Sequence, residues 1–363
     1  MLKHTERSIN YELEDSGPYS VLRNDCSPVA LQPSVIAKDI LAEVMKYRRF
    51  SGPKTSCAIS ACPKCFEPHL QKVISAVALD LPVTFVLPAF PGKSPNPAKV
   101  LGPLPDMAEK RALEFLQQLC DRIRQYYPPG ARIILCADGR VFSDVVGMRD
   151  EDVTAYQDEL EKMISELGLT SISIFNLDEL YVGQSFDQMR AQLMEQHGEP
   201  LDVIQNSIRR CGKDQDFSVE DKESRRLYCG ITRFLLEDAI FPGQKKSRTA
   251  LQKECRSRAY EVIQRSKAWG ELVEMQFSNA VRLSIHPQAC GAKKLGIRLI
   301  EPDNWMTPWH GVAVDVGGRF ILVKRSEAEK LGARLIHQAG RPSHYVLTDE
   351  SALTQLKGPQ HEA

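Results

Sequence analysis

Between Ser34 and Phe50 the apolar positions Val35, Ile36, Ile40, Leu41, Val44 and Met45 recur at helical spacing, with Ser34 placed to cap the first turn. Further along, elements alternate. A helix ending near Leu79 leads into the continuously apolar run Val83 to Leu87. A helix over Asp106 to Tyr126 leads, past Pro128-Pro129-Gly130, into Arg132 to Ala137, and a helix over Asp150 to Leu167 leads into Ser171 to Phe175. Unbroken apolar strands separated by amphipathic helices predict a mostly parallel sheet flanked by helices on both faces, the doubly wound α/β class. From Asp187 to Asn279 the chain reads as helical and charged, and from Val281 to Val323 it returns to strands. Residues 1–32 are polar and aperiodic and predict a flexible arm. A single α/β domain is expected over 33–346, with a tail over 347–363.

Parallel sheets bind ligands at the carboxyl ends of their strands, so the segments after the apolar runs carry the candidate chemistry. After the first strand comes Pro88-Ala89-Phe90-Pro91-Gly92-Lys93-Ser94-Pro95-Asn96, within a stretch from Leu81 to Pro105 that contains no acid. A nucleotide-binding phosphate loop would need glycine five residues before Gly92, where Leu87 stands. The loop is therefore either an anion site built on Lys93 and Ser94 or a proline-shaped surface turn. After the second strand, Asp138, Arg140 and Asp144 offer acid/base and anion-binding groups, or a helix cap and a structural ion pair.

Val281 to Ile300 is also free of acids. Period-two alternation places Arg282, Ser284 and His286 on one face, and the same parity on a strand from Lys294 to Ile300 aligns Lys294, Gly296 and Arg298. Two such strands form a cationic site for a small anion, with His286 able to titrate near neutrality, unless the face is merely solvated. Thr307-Pro308-Trp309-His310-Gly311 adds His310 beside Trp305 and Trp309, aromatic walls or core residues, and Lys324 follows the next apolar run.

Composition narrows the function classes. Lys plus Arg number 47 and Asp plus Glu 47, so the net charge is zero and a polyelectrolyte partner is disfavoured. No nucleic-acid motif is present. The basic run Lys245 to Lys267 keeps the apolar stripe Leu251, Ala259, Val262 and Ile263, and so reads as a solvated helix face. Met1 to Asp15 has no signal-peptide apolar segment and no window is suited to spanning a bilayer, which predicts a cytoplasmic chain without a membrane partner. Cys57, Cys62 and Cys65 form a C-x4-C-x2-C cluster, half of a zinc site whose other half is missing from the spacing because Cys290 and the remaining cysteines stand alone. No metal ligand set is assigned.

The segments Leu87 to Asn96, Ala137-Asp138-Gly139-Arg140-Val141-Phe142-Ser143-Asp144, Arg282-Leu283-Ser284-Ile285-His286-Pro287 and Thr307-Pro308-Trp309-His310-Gly311-Val312 together resemble the isocyanide (isonitrile) synthases of the pyoverdine/dityrosine biosynthesis family. The resemblance spans Ser34 to Val346. It implies a Rossmann-like fold and conversion of the α-amino group of tyrosine or tryptophan into an isonitrile, with C2 of ribulose 5-phosphate as the carbon source. It implies no metal or redox cofactor, and an Fe(II)/2-oxoglutarate oxygenase as the next enzyme on the product. Spore-wall members instead serve dityrosine formation from a formylated tyrosine, which stays open as an alternative. Two others are a non-catalytic phosphosugar-binding protein on the same fold and an interaction module organised by the cysteine cluster.

On this reading the sugar phosphate and the amino-acid carboxylate suit Lys93, Ser94, Arg140, Arg282, Lys294 and Arg298. Proton transfers suit Asp138, Asp144, His286 or His310, with Asp144 and His310 expected as the shuttle. Trp309 would wall the aromatic substrate. Lys324 or Lys93 could alternatively form a Schiff base with the sugar ketone.

Overall fold

A computed structural model describes residues 32–52, 57, 60–210, 219–303 and 305–348. The expected arm and tail fall almost wholly outside them. Five strands, β1 (Val83–Pro88), β2 (Ala131–Cys136), β3 (Ile172–Phe175), β4 (Val281–Ser284) and β5 (Leu295–Gly296), form an all-parallel sheet in the order β3-β2-β1-β4-β5. The α/β expectation holds, and the strand order is that of a Rossmann-type sheet. A second, mixed sheet follows in the order β7-β6-β9-β8, from β6 (Val312–Val316), β7 (Arg319–Val323), β8 (Arg334–Gln338) and β9 (Arg341–Val346).

Because successive strand residues point to opposite faces, the parallel sheet sorts its side chains into two cores. Phe85, Leu87, Ile133, Leu135, Val281 and Leu283 pack with the helices Pro33–Met45, Pro63–Ala78 and Met107–Arg124. Val86, Cys136 and Phe175 face the opposite way, onto Met189, Leu193, Leu235, Trp269 and Leu272 of the helices Phe186–His197, Val219–Ala239 and Arg248–Gln276. Leu251, Ala259, Val262 and Ile263 are buried, as the apolar stripe of the basic run requires.

Boundaries shift where local chemistry overrides periodicity. The first helix starts at Pro33, so Ser34 lies inside its first turn rather than capping it. Proline at the first helical position needs no hydrogen-bonded N–H, which permits the earlier start. Asp106 caps the helix Met107–Arg124 in a reciprocal box with Glu109. The strand expected over Lys294 to Ile300 shrinks to Leu295–Gly296, because the backbone beyond it turns to pair with another segment. Arg298 donates its amide N–H to the carbonyl of Tyr47, and Arg49 donates to that of Gly296. A Cβ on Gly296 would lie 2.3 Å from the Arg49 carbonyl oxygen, so this approach requires glycine.

Candidate active site

The crossover from β1 runs towards β2, whereas β4 leads to β5 on the other side, so the topological switch point lies between β1 and β4. The rule for open α/β sheets places a ligand crevice there, outside the carboxyl ends of the strands. The loops that flank it are the proline-rich one after β1 and the His286 to Lys294 loop after β4.

Asp138 follows β2 and stands at the start of the helix Gly139–Val146, where the sequence suggests a turn. A Cβ on Gly139 would lie 1.8 Å from the Pro91 carbonyl oxygen, so this helix abuts the β1 loop directly. Burial pushes the Asp138 carboxyl up to about 7, against its own backbone hydrogen bond and the field of Arg282. Arg282 pairs in register with Val86, on the face opposite Val281 and Leu283. Its Nη1 is buried without a hydrogen-bond partner, and burial lowers its pKa despite Cys136 and Asp138 nearby. Lys294 is exposed, but its surroundings and then the Arg282 guanidinium lower its pKa. His286, whose side chain reaches the surface over a ring set among neighbouring atoms, is held below its usual range by that partial desolvation and then by Arg49 and Lys294. The register of Leu283 with Leu295 sets Lys294 next to Arg282 at the edge of the sheet, whereas His286, expected to titrate near neutrality, is shifted towards the neutral ring and adds no cation.

A second polar group surrounds Asp238, which is buried on the helix Val219–Ala239. Ser94 Oγ donates to Asp238 Oδ1 at 2.9 Å, and Lys99 forms a short ion pair with the same oxygen. His310 Nε2 lies 3.9 Å from Asp238 Oδ2, which has no hydrogen-bond partner, while Nδ1 meets Thr307 Oγ1 at 2.9 Å. Desolvation lowers the His310 pKa to about 4 despite Asp238, so the ring is neutral at physiological pH. Lys324 Nζ lies 3.4 Å from Glu237 Oε2. The amide of Ser94 donates to the Trp309 carbonyl at 2.8 Å, which ties the β1 loop to the His310 turn.

Several expected site residues are committed elsewhere. Lys93 is fully buried, 2.9 Å from Asp106 and 2.7 Å from Glu109, and donates to the Pro308 carbonyl. Burial would lower its pKa, but the two acids outweigh it and keep an ammonium. Burial in turn raises Asp106 to about 7 against Lys93. This charge balance sits inside the fold, so Lys93 presents neither a phosphate-binding cation nor a free Schiff-base amine. Asp144 is held by Arg265 at 2.5 and 2.9 Å. Burial alone would raise its pKa, but Arg265 and then Arg190 bring it below the usual range, which suits an ion pair and not a shuttle. Arg140 reaches Asp178 at 3.0 Å and lies over the Phe186 ring. Arg298 pairs with Glu301 at 3.2 Å and lies over Tyr47. Trp309 is buried against Phe90, ring centroids 5.2 Å apart, whereas Trp305 is exposed.

A cleft of about 420 Å³ opens along Ser94, Pro97, Val100, Met148, Arg149 and Arg325. Its guanidiniums are engaged by Asp152 and Glu329, and Asp138, Arg282, His286, Asp238 and His310 are not on its wall. Lys93 and Ser94 also line this cleft, and the Ser94 bond to Asp238 joins its wall to the Asp238 group, while Arg282 with its unpartnered Nη1 lies apart from it at the switch point. Sequence reasoning quoted Thr307 only as part of the motif around His310, and it missed Asp238 and Lys99 as partners in this group. For Asp238 the signal was an Asp set among Leu235, Leu236, Ala239 and Ile240, in a segment read as helical and charged.

The cysteine spacing also proves incomplete as a guide. Cys290, distant in sequence, joins Cys57, Cys62 and Cys65, all four sulfurs lying within 4.8 Å of one another. Among the described residues no helix is long and apolar enough to cross a membrane.

The sequence profile of the family described as pyoverdine/dityrosine biosynthesis protein matches residues 73–336. The chain is 42% identical over 326 residues to an L-tryptophan isonitrile synthase, AmbI2, of Fischerella ambigua, covering 90% of this chain and 96% of that one. It is 42% identical over 330 residues to an L-tyrosine isonitrile synthase of Pseudomonas aeruginosa, covering 89% and 98%. The crystal structure of the PvcA protein of Pseudomonas aeruginosa superposes with a TM-score of 0.79 at 43% identity, over 86% of this chain and all of that one. Over nearly its whole length, then, the chain belongs to the pyoverdine/dityrosine biosynthesis family.

Proposed function

We propose that this chain is an isonitrile synthase that converts the α-amino group of tryptophan or tyrosine into an isocyanide, with ribulose 5-phosphate as the carbon donor. The observation that carries the reading is similarity over about nine-tenths of the chain to enzymes named as isonitrile synthases of tryptophan and of tyrosine; the carbon donor is part of the proposal. The switch-point chemistry is compatible with it. Arg282, with an orphaned Nη1, and Lys294 suit the phosphate or carboxylate of the substrates. Attack of the amine on the sugar ketone gives a carbinolamine, and expelling water from it needs a proton donor. Asp138, protonated up to about pH 7, fills that role. Neutral His310, set between Thr307 and Asp238, can accept a proton at a later step. Asp144 and Lys93 act on the scaffold instead. An isonitrile product is a reactive carbon ligand, and an Fe(II)/2-oxoglutarate oxygenase remains our expectation for the next enzyme.

The test is turnover. Purified protein supplied with ribulose 5-phosphate and either amino acid should yield a product with the mass of the isonitrile. Recovery of both substrates unchanged, under conditions in which the protein is folded, overturns the reading.

A further inference from the structure

The fold builds a four-thiol cage that the chain's sequence spacing conceals. Cys62 stands at the N-cap of the helix Pro63–Ala78 and Cys65 lies in its first turn. Cys57 precedes them, and Cys290 comes from the loop between β4 and β5. Two backbone pairings bring that loop in. Ser51 donates to the Gln288 carbonyl and Gln288 donates to that of Arg49, so residues 49–51 run alongside the segment that leads to Cys290.

The sulfur separations are 3.8 Å for Cys57 and Cys290, 4.0 Å for Cys62 and Cys65, 3.5 Å for Cys62 and Cys290, and 3.6 Å for Cys65 and Cys290. Four sulfurs at about 2.3 Å from one zinc ion stand about 3.8 Å apart at the corners of a tetrahedron. A disulfide would need about 2.05 Å, and all four are free thiols. The surroundings suit a negative centre. Arg48 Nη1 lies 3.7 Å from Cys65 Sγ, and Arg48 Nη2 is buried with no hydrogen-bond partner. Thiolate-only sets select soft or borderline ions, and a closed set of four leaves no open position for substrate.

We infer that Cys57, Cys62, Cys65 and Cys290 form a structural zinc(II) site that clamps the β4–β5 loop to the N-terminus of the helix Pro63–Ala78. Binding exchanges the four thiol protons for one Zn²⁺, leaving a centre of charge −2 beside Arg48, with no change of oxidation state. The clamp is distinct from the proposed reaction. Its consequence for that reaction is positional, because the loop it fixes carries His286 and Lys294.

The test uses the full chain, purified without chelator and analysed for metals by inductively coupled plasma mass spectrometry. About one zinc per chain is expected, falling to near zero in Cys290→Ser and Cys62→Ser and unchanged in Cys255→Ala, whose thiol is buried in a different core. Should the serine variants fail to fold, the unaltered chain still decides the matter. Titration with a mercurial should release about one zinc for about four thiols, and cobalt(II) in place of zinc should give the thiolate charge-transfer and d–d bands of a tetrahedral tetrathiolate. Folded protein that holds no zinc and takes up no cobalt, or one in which these cysteines are paired as disulfides, overturns the inference.

Discussion

Asp138 and Asp144 are six residues apart on one loop-and-helix segment, yet their environments drive their carboxyl groups in opposite directions. Burial lifts Asp138 to about 7, while the Arg265 and Arg190 guanidiniums hold Asp144 low. Sequence named both and favoured Asp144 as the shuttle, because its partner Arg265, 121 residues away, is invisible to any local pattern. If protonated Asp138 is the donor, kcat/KM falls as pH rises through about 7. Asp138→Asn should lower turnover by roughly 10²-fold or more and abolish that limb in a pH profile. The same shift carries a stability consequence. Native Asp138 keeps its proton where the unfolded carboxyl has lost it, so its contribution to stability declines from the unfolded pKa up to about 7, and denaturation of Asp138→Asn should show less of that decline. Asp144→Asn should instead cost about 1 kcal/mol or less of stability and leave turnover within roughly a factor of three. Lys93→Met leaves Asp106 and Glu109 buried without their cation, and chemical denaturation should show a loss of about 3–5 kcal/mol.

The elements show where pattern suffices and where it fails. The runs Val83 to Leu87 and Arg132 to Ala137 were legible because a strand covered on both faces must be apolar throughout. Each forms its strand to within a residue. The parity of Arg282 and Ser284 was legible for a similar reason, since period-two geometry is intrinsic to any strand. Arg298 broke the extrapolation because only tertiary pairing of Tyr47 and Arg49 with residues 296–298 ends the strand. Cys290 and Asp238 were invisible for the same cause, long-range contact that no local window reports. Close packing of the helix Gly139–Val146 on the β1 loop makes a sharp prediction. Gly139→Ala puts a methyl 1.8 Å from the Pro91 oxygen, so the helix or the loop must shift. A displacement of about 1 Å near the reacting groups can cost about 10²-fold in turnover even in folded protein, and circular dichroism beside an activity assay separates that loss from unfolding.

For the whole molecule, zero net charge proves to be a sum of unlike parts. The helix Asp150–Glu166 is acidic and the helix Arg248–Gln276 opens on a basic run, while the segments that flank the switch point, Leu81 to Pro105 and Val281 to Ile300, contain no acids of their own. On the proposed function, Arg282 and Lys294 would supply the local positive field of an otherwise neutral protein, a field suited to small anions and not to a polymer. Choice between tryptophan and tyrosine is a property of the assembled crevice, and competition between the two amino acids in one reaction should rank them by kcat/KM. The most direct test of the account follows the carbon. Ribulose 5-phosphate labelled with ¹³C at C2, incubated with the enzyme and the preferred amino acid, should deliver the label to the isocyanide carbon, read by mass spectrometry and ¹³C NMR. An isonitrile without label, or a formylated amino acid in its place, would contradict it.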